Sequence, residues 1–163
     1  MPQATPGAAL ALLEQALCLE IDGEAFYRQA AVTTADQAGR RMFAELADQE
    51  ADHQRIIRRQ IDSLRACGCW ATEERLQGPA CDPSQPLFPQ GAARAKALGP
   101  RATELEALWF ALEKESESYE LYRQGALQAT EATALDLYRY VMAAEREHFN
   151  TLMTTYEAIA NQH

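Results

Sequence analysis

Histidine is scarce in this 163-residue chain, which has three, at positions 53, 148 and 163. Basic residues are outnumbered as well, 15 Lys and Arg against 24 Asp and Glu, for a net charge of −9. That balance lacks the clustered cations that phosphate backbones require, and it disfavours anionic membrane surfaces. Neither nucleic acid nor a membrane is expected as a partner. There is no run of eighteen uninterrupted apolar residues, and so no candidate membrane span. Met1 to Thr5 hold no basic residue ahead of the first apolar stretch and do not read as a secretory signal. The four cysteines, Cys18, Cys67, Cys69 and Cys81, then read as reduced thiols in the cytoplasm.

Two of the three histidines fall in one pattern, Glu50-Ala51-Asp52-His53 and Glu145-Arg146-Glu147-His148. On a helix, residues three apart project from one face, so each pair can offer a carboxylate and an imidazole to one site. A lone Glu-x-x-His is a weak signal. Here a single offset (115 − 20 = 148 − 53 = 95) carries Glu20 onto Glu115, Tyr27 onto Tyr122, Glu50 onto Glu145 and His53 onto His148. Ala16-Leu17-x-x-Glu20 with Tyr27-Arg28-Gln29 likewise matches Ala111-Leu112-x-x-Glu115 with Tyr122-Arg123-Gln124. The chain is a duplicated unit with a period too long for a solenoid of short repeats.

The periodicity predicts four helices in one domain. The first runs from about 7 to 32, opened by Thr5-Pro6, with Leu13, Leu17, Glu20, Glu24, Tyr27 and Ala31 on one face. Thr34-x-x-Gln37 offers a capping box for the second, which reaches about 65 with Phe43, Leu46, Glu50, His53, Ile57 and Leu64 inside. From about 66 to 100 periodicity fails and Gly and Pro accumulate, with one helical turn expected near Thr72 to Leu76. A second hairpin follows over about 103–160, opened by Thr103-x-x-Glu106. Its first stripe is Leu108, Leu112, Glu115, Tyr119, Tyr122 and Ala126, and its second is Tyr138, Val141, Glu145, His148, Leu152, Tyr156 and Ile159. Glu20 and Glu50 lie about equally far from the first turn, roughly 20 Å along each helix, so they sit level across an antiparallel pair. A connection of ~35 residues can return the chain along the ~40 Å of the second helix, relating the hairpins by a pseudo-twofold axis.

One Glu from each of two helices and a Glu-x-x-His from each of the other two form the donor set of carboxylate-bridged di-iron and di-manganese bundles. Four buried carboxylates without partners would be too costly to keep charged, and two divalent cations cancel that charge. Hard oxygens with one imidazole per metal suit Fe and Mn; Zn also binds but has no redox chemistry. Phe43, Leu46, Trp109, Tyr138 and Val141 read as core, Cys18 as a packing residue, His163 as solvated, and Glu24 as either a neighbour of the site or surface.

These residues resemble the rubrerythrin-like branch of the ferritin-like superfamily, in which Ala-Leu-x-x-Glu…Tyr on the first and third helices is followed by Glu-x-x-His on the second and fourth. The resemblance covers about 8–65 and 103–160 and implies an all-α ferritin-like four-helix bundle of two hairpins joined by a crossover. It implies that Glu50 and Glu145 bridge two Fe ions, that Glu20 and Glu115 are terminal ligands, and that His53 and His148 bind one metal each. Tyr27 and Tyr122 would donate hydrogen bonds at the site. It further implies an oxidoreductase reacting with H₂O₂ or O₂, of peroxidase or ferroxidase type, and a homodimer. The alternative is a non-catalytic metal-binding or iron-handling module. Two departures stand out. The paired Cys-x-x-Cys of a rubredoxin module is missing, so electrons are expected from an external donor, a rubredoxin-like protein or a flavoprotein. Leu112 and Ser118 occupy the positions where rubrerythrins tend to carry an extra glutamate, which moves the expectation toward a generic ferroxidase or peroxide-reactive centre.

Overall fold

Helix α1 (Pro6–Thr33) opens on a proline, whose fixed φ suits a first turn and whose missing N–H costs nothing there. It is followed by α2 (Gln37–Cys67), α3 (Ala102–Gln128) and α4 (Ala132–Ala160). The computed structural model describes residues 6–73, 76, 81–84, 87 and 102–162. Thr5, His163 and most of the expected crossover lie outside the described residues.

The cap of α2 differs from expectation. The Thr34 N–H still bonds the Ala30 carbonyl at 2.9 Å, so Thr34 closes α1 and is not free to start the next helix. Asp36 takes the cap, accepting from the Gly39 N–H at 2.7 Å, where a carboxylate also meets the positive end of the helix dipole. At the other end Gly68, at φ +67°, closes α2 with its N–H on the Leu64 carbonyl; that left-handed conformation suits a residue without Cβ.

The chain leaving α2 turns back along it. Ser63 donates to the Cys69 carbonyl at 2.8 Å, Gln60 exchanges two bonds with the Ala71 backbone at 2.9 and 3.0 Å, and Arg59 reaches the Thr72 carbonyl at 3.3 Å. The Leu76 N–H meets the Glu73 carbonyl at 3.4 Å within the stretch where a turn was expected. Gln60 is fully buried, and this pairing satisfies both ends of its amide.

Helices α1 and α2 pack as one hairpin, α3 and α4 as the other, and α1 meets α3. The core falls into two apolar clusters. One gathers Leu13, Ile57, Ile61, Leu64, Tyr138 and Met142, and the other Tyr27, Phe43, Leu46, Leu108, Leu112 and Tyr156. Leu87, from the crossover, packs against both. Phe43, Leu46, Trp109, Tyr138 and Val141 are buried as expected. On α1 the buried stripe runs through Ala16 and Ala30, whereas Leu17 and Ala31 are only half-buried. Cys18 is exposed, so its reading as a packing residue is corrected: it lies off the stripe that faces the bundle. Among the described residues, no helix is long and apolar enough to cross a membrane.

Candidate metal centre

Between the two apolar clusters each helix contributes polar side chains that its amphipathic stripe would otherwise fill with hydrocarbon. Glu20 comes from α1, Glu50 and His53 from α2, Glu115 from α3, and Glu145 and His148 from α4. All six are at most 4% exposed.

His53 Nδ1 lies 3.2 Å from Glu20 Oε2, 3.3 Å from Glu145 Oε1 and 3.7 Å from Glu50 Oε2. His148 Nδ1 lies 3.2 Å from Glu50 Oε1, 3.4 Å from Glu115 Oε2 and 3.6 Å from Glu145 Oε2. The donor atoms thus form two groups, Glu20–Glu50–His53–Glu145 and Glu50–Glu115–Glu145–His148, each with its atoms within 4.8 Å of one another. Glu50 and Glu145 belong to both, and the two imidazoles stack with centroids 5.6 Å apart. The residues fit a pair of divalent ions on a further observation: Glu115 Oε2, Glu145 Oε1 and His148 Nδ1 are buried without a hydrogen bond among the described residues. Buried polar atoms are seldom left unpaired, and of the four such side-chain atoms among the described residues these three belong to the donor set, the fourth being Arg139 Nε.

The tyrosines are crossed. Tyr27 on α1 donates to Glu115 Oε1 on α3, and Tyr122 on α3 donates to Glu20 Oε1 on α1. Sequence spacing put both phenols on the ligand face without showing that each serves the other hairpin. Gln49 was missed altogether: its Oε1 accepts from His148 Nε2 at 2.6 Å. The duplication hides it, because the same offset carries Gln49 onto Ala144, which has no polar group to offer His53. Glu24 accepts from Gln54 at 2.7 Å and pairs with Arg28 at 3.3 Å, which places it beside the site and outside the donor set.

Residues 11–75 match the model of the rubrerythrin family. Over that segment the chain is similar to rubrerythrins. The matched segment contains Glu20, Glu50 and His53, and the second hairpin repeats these residues in register at Glu115, Glu145 and His148. A hypothetical protein from Pyrococcus furiosus shares the fold with a TM-score of 0.72 at 22% identity, over 94% of this chain and 91% of that one. No curated protein matches the chain.

Charges in the buried cluster offset one another. Burial pushes the Glu50 carboxyl up, and the Glu20 charge adds to it, taking it to about 8. Glu145 is also raised well above the ordinary carboxylate value, by burial and by the charges of Glu20, Glu50 and Glu115. Glu20 is raised by burial, but the His53 charge and its hydrogen bonds prevail and hold it at about 2. Glu115 is likewise lowered despite burial, through Glu145, His148 and Tyr27. Burial works against charge on both imidazoles, yet the surrounding carboxylates raise them well above the ordinary histidine value. At neutral pH Glu20 and Glu115 are ionised and Glu50 holds a proton, while Glu145 and both imidazoles are pushed toward their protonated forms, which offsets the charge of the ionised pair.

Two cavities reach this centre. Between α2 and α4, one of about 310 Å³ is lined by Gln49, Asp52, His53, Tyr140 and Glu147 and is the polar approach. Between α1 and α3, one of about 370 Å³ reaches Glu50, Glu115 and Tyr27 past apolar walls.

Proposed function

We propose that Glu20, Glu50, His53, Glu115, Glu145 and His148 hold two iron ions, and that the protein is a di-iron oxidoreductase reacting with H₂O₂ or O₂. The observation that carries this reading is the pair of buried donor groups sharing Glu50 and Glu145. Four carboxylate ligands and one imidazole per ion match iron in hardness, with manganese the nearest competitor. Bound iron supplies the redox equivalents and the open coordination positions that oxidant chemistry needs.

The chain's own residues prepare the centre. Burial and the adjacent carboxylates keep the Tyr27 and Tyr122 phenols protonated, so each holds a hydrogen bond on a terminal carboxylate and fixes its rotamer. Gln49 orients His148 from outside. The apolar clusters above and below exclude water and strengthen every interaction between them. Electrons come from an external donor, a rubredoxin-like protein or a flavoprotein.

Anaerobic Fe²⁺ loading followed by peroxide tests the proposal. About two iron ions per chain and an absorption change on peroxide addition are expected. Protein that takes up no iron, or whose ferrous form ignores peroxide, refutes it. A second reading, iron handling without turnover, is favoured by Leu112 and Ser118 near the Glu115 ligand and by the acidic Asp52–Glu147 approach. Repeated peroxide consumption only when an electron donor is supplied decides for the oxidoreductase.

A further inference from the structure

The cavities between α1 and α3 and between α2 and α4 are alike in volume, about 370 and 310 Å³, and differ in lining: Leu19, Phe26 and Phe110 wall the first, Gln49, Asp52 and Glu147 the second. Ions and peroxide already have the polar approach between α2 and α4. The apolar cavity therefore calls for a different occupant.

Its origin is local. Gly23 lies three residues after Glu20 and Ser118 three residues after Glu115, positions related by the same offset of 95 (118 − 23 = 95) as the donor residues. On a helix that step keeps both on the face of their glutamate, so the two hairpins each set a small residue against the pseudo-twofold axis. Gly23 is not forced by a close approach. A Cβ built there would lie 3.5 Å from Glu50 Cδ, an ordinary contact, so its absence leaves space without relieving a clash.

The lining defines the occupant's chemistry. Leu19, Phe26 and Phe110 give hydrocarbon walls, with the Phe26 and Phe110 rings 5.1 Å apart. At the rim Lys114 is engaged by Glu117 at 2.9 Å and lies 5.7 Å over the Phe110 ring, and Asp22 opposes it, so neither sign of charge is favoured on entry. The inner end is set by Glu50, Glu115 and Tyr27. Phe110 is 44% exposed, so the cavity opens to solvent past this ring.

We infer that this cavity binds a small, uncharged, largely hydrocarbon molecule, with its inner end against Glu50 and Glu115. Ser118 offers it one hydroxyl. That the molecule is a substrate rests on the metal reading of the cluster; that the cavity binds it does not.

Toluene is the probe, with benzoate as the charged molecule of the same shape. Titration of the purified chain should show saturable binding of about one toluene per chain, and none of benzoate at the same concentration. Ser118→Leu fills the cavity and should weaken toluene about tenfold or more, whereas Ser118→Ala should bind it like the parent. Leu19→Trp fills it from the opposite helix and serves if Ser118→Leu does not fold. Absence of saturable toluene binding, equal binding by the filled variants, or benzoate bound as tightly as toluene overturns the inference. Mn²⁺ equilibrium dialysis on the same samples separates the two readings. About two Mn²⁺ per chain without toluene binding overturns the cavity inference alone. Toluene binding without Mn²⁺ uptake upholds it and overturns the metal centre.

Discussion

Loading the metal-free protein with two divalent ions at pH 7 should expel about four protons per chain, because every ligand must be deprotonated to bind. The count comes from the cluster itself. Glu50, raised to about 8, carries a proton at pH 7, and Glu145 and both imidazoles, all raised well above their ordinary values, are pushed toward holding three more. Glu20 and Glu115 are already ionised. Two M²⁺ thus replace four H⁺ of equal total charge, and the interior stays neutral before and after. By linkage, the combined affinity should fall about ten-thousandfold, or about a hundredfold per ion, for each unit of acidification below pH 7. Mn²⁺ added anaerobically to weakly buffered protein with a pH indicator measures the release directly. At pH 9 Glu50 has already lost its proton, so the release should be smaller than at pH 7. Release of one proton or fewer at pH 7, or a release indifferent to pH between 7 and 9, refutes the charge arrangement.

Stability of the metal-free protein should fall as pH rises from about 5 to 9, read as Tm by circular dichroism. His53, His148, Glu50 and Glu145 all have folded values above their unfolded ones, so the folded state binds more protons throughout that window and loses its advantage as they leave. Metal-loaded protein should lack this slope. Gly125→Ala should destabilise by about 1–3 kcal/mol, since a Cβ there would lie 2.6 Å from the Tyr138 ring; a chemical-denaturation midpoint unchanged from the parent would contradict that packing. Gln49→Leu should weaken metal binding about 10–100-fold at the His148 ion and leave the other intact, giving two distinct dialysis constants. Thiol titration of the native protein should find Cys18, Cys67 and Cys69 fast and Cys81, buried against the Tyr119 hydroxyl at 3.6 Å, slow until unfolding.

Much of this molecule is legible without coordinates because duplication and helical period reinforce one another. Glu20, Glu50 and His53 are polar where a stripe demands hydrocarbon, and the offset repeats the anomaly at Glu115, Glu145 and His148, which converge in the bundle. What escaped the sequence depends on three-dimensional relations that no spacing encodes. Asp36 displaces Thr34 as cap because the Thr34 N–H is already used by α1. Gln49 acts across the bundle on α4, at a position where the two halves no longer match. The crossed partners of Tyr27 and Tyr122 depend on how α1 and α3 approach each other, which neither hairpin specifies alone.

That crossing bears on how such a centre can arise. Each hairpin brings a carboxylate whose phenol partner belongs to the other, so neither hairpin by itself completes the hydrogen bond on Glu20 or on Glu115. Two copies of an identical hairpin, met about a twofold axis, would already contain every donor and both phenols. Among the described residues the tether from α2 to α3 adds no ligand to the donor set; it makes a reaction between two molecules into a folding step within one, replacing dependence on concentration with a fixed local one. Once the halves were tethered they no longer had to be the same, and Gln49 bonded to His148 while its counterpart position holds Ala144 marks where they have ceased to be.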